Sequence, residues 1–191
     1  NLLHPMHPMN SVLIIVDSLK QWAPYCQTES VITATDYLNN CDITGHPQLV
    51  INLCGNHAYH SEGYYCSLLA QARKHKIIPS IETLNRLESS SPLRIDRNLL
   101  SLSVPFPETL ARIDGDEESF TLYLFFGKCE QPEFSRLARY LFEQYPAPIL
   151  RVTLSRGRCG QLYQIAAPSL DELDDHQQDL FANSLDHFSR K

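Results

Sequence analysis

LVINLCGNHAYHSEGYYCSLLAQARKHKIIP, Leu49 to Pro79, carries the pattern that decides the fold. Leu49 to Cys54 is a short apolar run rich in β-branched residues, the signature of a buried strand. A polar loop follows from Gly55 to His60. Ser61 is suited to cap a helix. That helix carries Tyr65, Leu68, Leu69 and Ala72 at helical spacing, which predicts them as its inward face. Arg73, Lys74, His75 and Lys76 gather at its C-terminal end, where cations suit the helix dipole. Lys76 to Pro79 reads as a second strand. Strand, loop, helix and strand make a βαβ unit with parallel strands and a right-handed crossover. Ligands of such folds collect at the C-terminal ends of the strands, which places Gly55 to Ser61 at a candidate site.

Outward from this unit the pattern repeats. Val12 to Val16 is a buried strand ending in Asp17-Ser18, where an acidic residue either meets a ligand or caps the next turn. Trp22, Pro24 and Tyr25 predict an ordered loop. Ser30 to Thr33 is a second strand, and Thr35-Asp36 opens a short helix through Asn39 that is stopped near Gly45-His46-Pro47. Ser80 caps a helix with Leu84 and Leu87 inward, broken by Ser89-Ser90-Ser91-Pro92. Leu93 to Leu102 is read as helical, Pro105 and Pro107 as an exposed connection, and Asp114 to Glu118 as an acidic turn. Ser119 to Phe126 is strongly β-prone. Pro132 to Tyr145 is an amphipathic helix with Phe134, Leu137, Ala138, Leu141 and Phe142 on one face. Ile149 to Leu154 and Gln161 to Ile165 form a hairpin around a turn at Arg156 to Gly160. Asp171 to Asp175 is acidic, and Gln177 to Phe188 is a last amphipathic helix, read as a lid or linker. The class is α/β: a single domain with a mainly parallel, mixed sheet, βαβ units, an edge β-hairpin and a C-terminal helix.

Bulk properties exclude several functions. The 191 residues are 43% hydrophobic and 20% charged, which is ordinary for a soluble globular chain. A net charge of −6 disfavours generic nucleic-acid binding. No apolar run approaches the roughly 20 residues of a membrane span. Six cysteines, at positions 26, 41, 54, 66, 129 and 159, are too scattered for a disulfide framework. They are read as reduced thiols of a cytoplasmic protein. Asn1 to Asn10, with its repeated His-Pro-Met, is read as a disordered tail whose histidines are incidental.

Three chemistries converge on the central loop. Cys54, His57, His60 and Cys66 are four potential zinc ligands in thirteen residues. Their spacing matches no standard knuckle, and the plainer reading puts both thiols in the core and both imidazoles in solvent. Cys54 at a strand end, with His57 in reach and a helix N-terminus nearby, is a candidate nucleophile. No elbow motif surrounds it and no third, orienting group is assignable. Gly55-Asn56 ahead of a helix could present amides to an anion, but no phosphate-loop motif is present. Lys128, Arg151, Arg156 and Arg158 cluster around the hairpin in sequence, either lining a groove for a carboxylate or phosphate or forming a solvated face. Tyr59, Tyr64 and Tyr65 could form a polar-aromatic wall, with Tyr65 the one expected in the core.

One resemblance organises these residues. Asn52-Leu53-Cys54, Tyr59, Ser61, Gly63-Tyr64-Tyr65, Ser67-Leu68-Leu69-Ala70, Ala72-Arg73, His75 and Ile78-Pro79-Ser80 resemble the signature of the RimK-like ATP-grasp N-terminal domain. Val12 to Asp17, Asp36-Tyr37-Leu38, Tyr123 to Gly127, Leu137-Ala138-Arg139 and Phe142 through Arg151 fit it in order. The resemblance implies a leading domain, residues 11–168 behind a tail of residues 1–10. Residues 169–191 would then be a linker and helix running toward an ATP-grasp module absent from this chain.

Ligases of that kind activate a carboxylate as an acyl phosphate and join it to an amine. ATP and Mg²⁺ would belong to the absent module, so no cofactor is expected in this chain. The expected role is non-catalytic recognition or positioning of an amino-acid or peptide substrate, in peptide tailoring, against that module. Asn52, Cys54, Tyr59, Ser61, Gly63, Tyr64 and Arg151 are the candidate ligand-facing residues. Cys54, His57, His60 and Cys66 remain weak metal candidates, and no catalytic residue is assigned. The partners expected are the ATP-grasp module and the substrate, with self-association open and no nucleic acid or membrane. Two alternatives stand beside this reading: an independent thiol- or zinc-dependent enzyme centred on Cys54 and His57, and a protein-interaction module.

Overall fold

The computed structural model describes residues 12–25, 30–40, 47, 49–89, 93–94, 119–157 and 160–190. The expected tail at residues 1–10, the stop at Gly45-His46, the connection at Pro105 and Pro107, the acidic turn at residues 114–118 and Arg158-Cys159 lie outside these residues.

The α/β class stands, with its strands divided between two sheets. Strands β1 (Val12–Val16), β2 (Val31–Thr33), β3 (Leu49–Asn52) and β4 (Ile77–Ile78) form a parallel sheet in the order β2-β1-β3-β4. Strands β5 (Leu93–Arg94), β6 (Ser119–Phe125), β7 (Ile149–Gly157) and β8 (Gly160–Ala166) form a separate antiparallel sheet in the order β5-β8-β7-β6. The expected hairpin is therefore β7-β8 inside its own sheet. Leu93-Arg94, read as helical, pairs with Leu162 and Tyr163 instead. Residues 95–102 of that expected helix lie outside the described residues. Strand pairing over such distances is set by packing partners that local periodicity does not encode.

The parallel sheet is buried on both faces, and its residues alternate between two clusters with the two-residue period of a strand. Leu13, Ile15, Val50 and Cys54 face one layer with Ala34, Tyr37, Cys66 and Ala70. That layer consists of α2 (Ala34–Asn39) and α3 (Glu62–Ala72). Val12, Ile14, Val16, Ile51 and Leu53 face the other way, onto Trp22, Tyr25, Phe125, Phe126, Ile149, Leu170 and Phe181. Phe181 belongs to the last helix, here α6 (Asp175–Ser189), and is fully buried. The Asp174 side chain caps α6 in a reciprocal box with Gln177. A third cluster holds α5 (Ser135–Gln144) on the antiparallel sheet through Leu137, Ala138 and Leu141.

Two local readings are corrected. Trp22 closes a single helical turn, α1 (Leu19–Trp22), whose N-cap is Ser18. Helix α3 is rotated relative to its apolar spacing: of the four residues expected inward, Leu69 packs against the core and Tyr65, Leu68 and Ala72 are exposed. It buries Gly63, Tyr64, Cys66, Ser67 and Ala70, while Tyr65 is 38% and Leu68 43% exposed. Small residues on the inward face let the helix lie close to the sheet, and that close approach outweighs the pull of the larger side chains. The N-caps at Ser61 and Ser80, the latter opening α4 (Ile81–Glu88), fall where the sequence places them, whereas α2 is capped by Thr33, two residues ahead of the expected opening at Thr35-Asp36. Among the described residues no helix is long and apolar enough to cross a membrane.

Candidate functional site

The chain leaves β1 toward β2 on one side and reaches β3 and β4 on the other, so the sheet switches direction between β1 and β3. Asp17 ends β1 there, and Leu53 to Gly55 follow β3. Asp17 Oδ2 accepts the Gly55 amide at 2.8 Å, which clips the two strand ends together. The predicted site is thus at the expected corner of the fold.

Its residues are held by one another. Asn52 is 1% exposed, and its Nδ2 donates to Gly63 O at 2.8 Å and to Ser67 Oγ at 2.9 Å. Its Oδ1 accepts from the Cys54 amide at 3.2 Å. Ser67 Oγ passes the chain on to Pro79 O at 2.8 Å, so one network ties β3, α3 and the end of β4. A buried amide satisfied at both ends fixes geometry well and leaves nothing free for a ligand. Sequence reading finds Ser67 only within the family signature, with no role; the signal for one is a hydroxyl inside the helix, one turn after Gly63.

Gly63 is explained by contact with the chain itself. A Cβ at this position would meet Asn56 O at 2.2 Å, Cys54 Cβ at 2.8 Å and His57 Nδ1 at 3.1 Å. Gly55 is crowded in the same way by Ser169, whose Cβ would lie 2.7 Å from an added methyl. The segment leaving β8 therefore lies across the strand ends. What remains open is a cavity of about 10 Å³, room for a single water, lined by Asn52, Cys54, His57, Pro79, Pro148 and Pro168 among others.

Cys54 and His57 are kept uncharged. A hydrogen bond with the Cys66 thiol, then burial, then the charge of Asp17 push the Cys54 thiol far above its ordinary range. A thiol so held stays protonated and is a poor nucleophile at neutral pH. Burial lowers His57 to about 4, against an opposing pull from Asp17. Its Nδ1 is buried with no hydrogen-bond partner among the described residues. A bare lone pair costs less there than a bare N–H, so the geometry favours the tautomer protonated on Nε2.

The four potential zinc ligands do not all converge: the Cys54 and Cys66 thiols meet in the core, and His60 is turned to the surface. Cys66 lies 3.9 Å from Ala34 O in the α2–α3 layer, while His60 Nδ1 and the Tyr65 hydroxyl share a hydrogen bond of 2.6 Å at the surface. Among the described residues no group of three or more His, Cys, Asp or Glu side chains is placed to hold a metal ion.

Beyond this locked corner the loop turns outward. Ser61 Oγ donates to Asn56 O at 2.9 Å and accepts from the Tyr64 amide at 3.2 Å, so it serves the loop and the helix start together. His60 adopts a left-handed backbone, φ 71°, at a cost of about 1 kcal/mol for a residue with a side chain. The turn throws Tyr59 into solvent, 61% exposed, with its ring 3.8 Å from His60 and 5.3 Å, edge-on, from the nearly buried Tyr64. Arg151, on β7, is paired with Glu172, so its charge is already matched.

No curated protein matches the chain. A sequence model of the RimK-like ATP-grasp N-terminal domain matches residues 34–184, most of its length, from α2 through strands β3 to β8 and into α6. The match spans the Asn52–Ser67 lock, the Gly63 contact and the helix that closes the core, and the chain belongs to the RimK-like ATP-grasp N-terminal domain family.

Proposed function

We propose that this domain is the non-catalytic recognition and positioning part of an ATP-dependent carboxylate–amine ligase, working beside an ATP-grasp module in the cytoplasm. The closure of the strand-end corner carries this reading. Ser169 fills the crevice, Cys54 is kept protonated and Asn52 is spent on the backbone. What the corner offers a substrate is a rigid outward loop, Tyr59 to Ser61, held by Asn56 and the helix cap.

The described residues do not fit ATP and Mg²⁺. The Gly55 amide is taken by Asp17, Glu62 occupies the first turn of α3, and no acidic cluster is placed to hold a cation. Binding and activation of the nucleotide fall to the ATP-grasp module, and no step is assigned to this chain. The same protonated, buried thiol argues against an independent thiol enzyme at Cys54.

Two measurements test the reading. The chain incubated with ATP and Mg²⁺ should release no phosphate above background. In the ligase that carries this domain, Tyr59→Ala should raise KM for the amino-acid or peptide substrate several-fold and leave kcat and the KM for ATP near wild type. ATP turnover by the chain alone, or a Tyr59→Ala variant with unchanged KM, would overturn it.

A further inference from the structure

Two thiols take no part in the recognition role. Cys54 and Cys66 are free, 1% and 0% exposed, and lie in one cluster between the parallel sheet and the α2–α3 layer. The Cys54 thiol donates to Cys66 Sγ, and the Cys66 thiol donates in turn to Ala34 O over a long 3.9 Å. The backbone sets up this meeting. A Cβ on Gly63 would lie 2.8 Å from Cys54 Cβ, and Cys66 follows Gly63 by one turn on the same buried face of α3. Helical neighbours three apart hold their Cβ atoms about 5–6 Å from each other. Sulfur atoms in contact on carbons so placed reach bonding distance by side-chain rotation, without a large backbone movement.

The pair also brackets a segment. Cys54 follows β3, Cys66 sits in the second turn of α3, and Gly55 to Tyr65 run between them. That segment holds the left-handed His60 and the exposed Tyr59. Cys54 also lines the cavity of about 10 Å³ beside Pro79, Pro148 and Pro168, where one oxygen of a small peroxide can be seated.

We propose that Cys54 and Cys66 are a redox pair, which hydrogen peroxide closes into an intramolecular disulfide that staples the two ends of the Gly55–Tyr65 segment. Cys54 Sγ attacks one peroxide oxygen and the O–O bond breaks. Cys54 becomes a sulfenic acid, and the departing hydroxide takes the thiol proton to form water. Cys66 Sγ then attacks Cys54 Sγ, the S–O bond breaks, and the second hydroxide leaves with the Cys66 proton as water. The two thiols give up two electrons and the peroxide accepts them. A buried, protonated thiol makes the first step slow, so the pair responds to sustained oxidation rather than to brief pulses. The bond stands apart from the recognition role proposed above; only its effect on a substrate rests on that reading.

The full chain is treated with hydrogen peroxide, its remaining thiols are alkylated in denaturant, and its cross-links are read by peptide mass spectrometry. Chymotryptic cleavage at Tyr59, Tyr64 or Tyr65 parts the two cysteines. A Cys54–Cys66 cross-link should accumulate over hours and disappear with dithiothreitol. The variant Cys26→Ser/Cys41→Ser/Cys129→Ser/Cys159→Ser should form it as wild type does. The cross-linked chain should unfold at a urea concentration higher by about 1 M than the reduced chain. Preferential cross-linking of any other pair, Cys54 sulfinic acid beside an intact Cys66 thiol, thiols that survive a day of peroxide, or a cross-linked chain less stable than the reduced one would each overturn the proposal. None of these readouts uses a substrate, so they fail independently of the Tyr59→Ala test.

Discussion

Gly63→Ala separates two views of the residue that opens α3. If Gly63 were an ordinary exposed helical glycine, alanine would stabilise the chain by up to about 1 kcal/mol through helix propensity. The structure predicts the opposite sign. The new methyl would sit 2.2 Å from Asn56 O and 2.8 Å from Cys54 Cβ. Neither neighbour retreats easily. Asn56 O is held by Ser61 Oγ at 2.9 Å, and the Cys54 backbone is held by Asn52 Oδ1 at 3.2 Å. Overpacking typically costs 1–3 kcal/mol, and a clash with a pinned carbonyl belongs near the top of that range, about 3 kcal/mol. Subtracting the propensity gain leaves a net loss of about 2 kcal/mol. For a chain of this size that lowers the thermal midpoint by about 4–8 °C, and the urea midpoint by about 0.7–1 M for an m-value of about 2–3 kcal/mol/M. The assay is equilibrium urea unfolding followed by far-UV circular dichroism. A Gly63→Ala midpoint equal to or above wild type would refute the packing account and reopen this glycine for close approach by a ligand.

Other outcomes follow from the same corner. Asn52→Ala removes three buried hydrogen bonds and should cost about 2–4 kcal/mol in urea unfolding, against about 1.5–2.5 kcal/mol for Ser67→Ala, which removes two; a larger cost for Ser67→Ala would mean that Asn52 is not the hub. His57 titrates near 4 in the folded chain and near 6.5 when unfolded. The unfolded state therefore binds the extra proton first as pH falls. The stabilising contribution of neutral His57 is complete above pH 6.5 and declines down to about pH 4, by up to about 3 kcal/mol if the ring is as dry as its Nδ1. His57→Gln should flatten urea stability between pH 7 and 5, and an unchanged slope would sink this assignment. Alkylation of the native chain read by peptide mass spectrometry should leave Cys54 and Cys66 unmodified until denaturant is added; rapid native labelling of Cys54 would contradict its burial and protonation.

The sequence made the central βαβ unit plain because caps, strand lengths and two-residue alternation all agree there. Ser61, Ser80 and Leu49 to Asn52 are local features and were legible as such. The orientation of α3 was not. Tyr65, Leu68 and Ala72 mark a helical face, but spacing alone does not say whether that face meets the sheet or the solvent. The deciding fact is how closely the helix approaches β3, which Gly63, Cys66, Ser67 and Ala70 allow together. The corner itself was placed correctly as strand ends and a helix start. Its closure was invisible, because Ser169 reaches Gly55 only through the second sheet. Division into two sheets was hidden for the same reason: β-propensity marks Ser119 to Phe125 as a strand without naming its partners.

The seating of Phe181 also orders events in time. Strands β1 to β4 leave the ribosome early, yet one face of their sheet rests on side chains from Phe125 to Phe181 that are made much later. The nascent amino-terminal half can cover that face only with Trp22 and Tyr25, and its sheet gains full protection when the last helix packs onto it. Long-range closure of this kind slows folding and makes it all-or-none. A cell synthesising this protein therefore depends on whatever shields Ile14, Val16 and Ile51 during that interval.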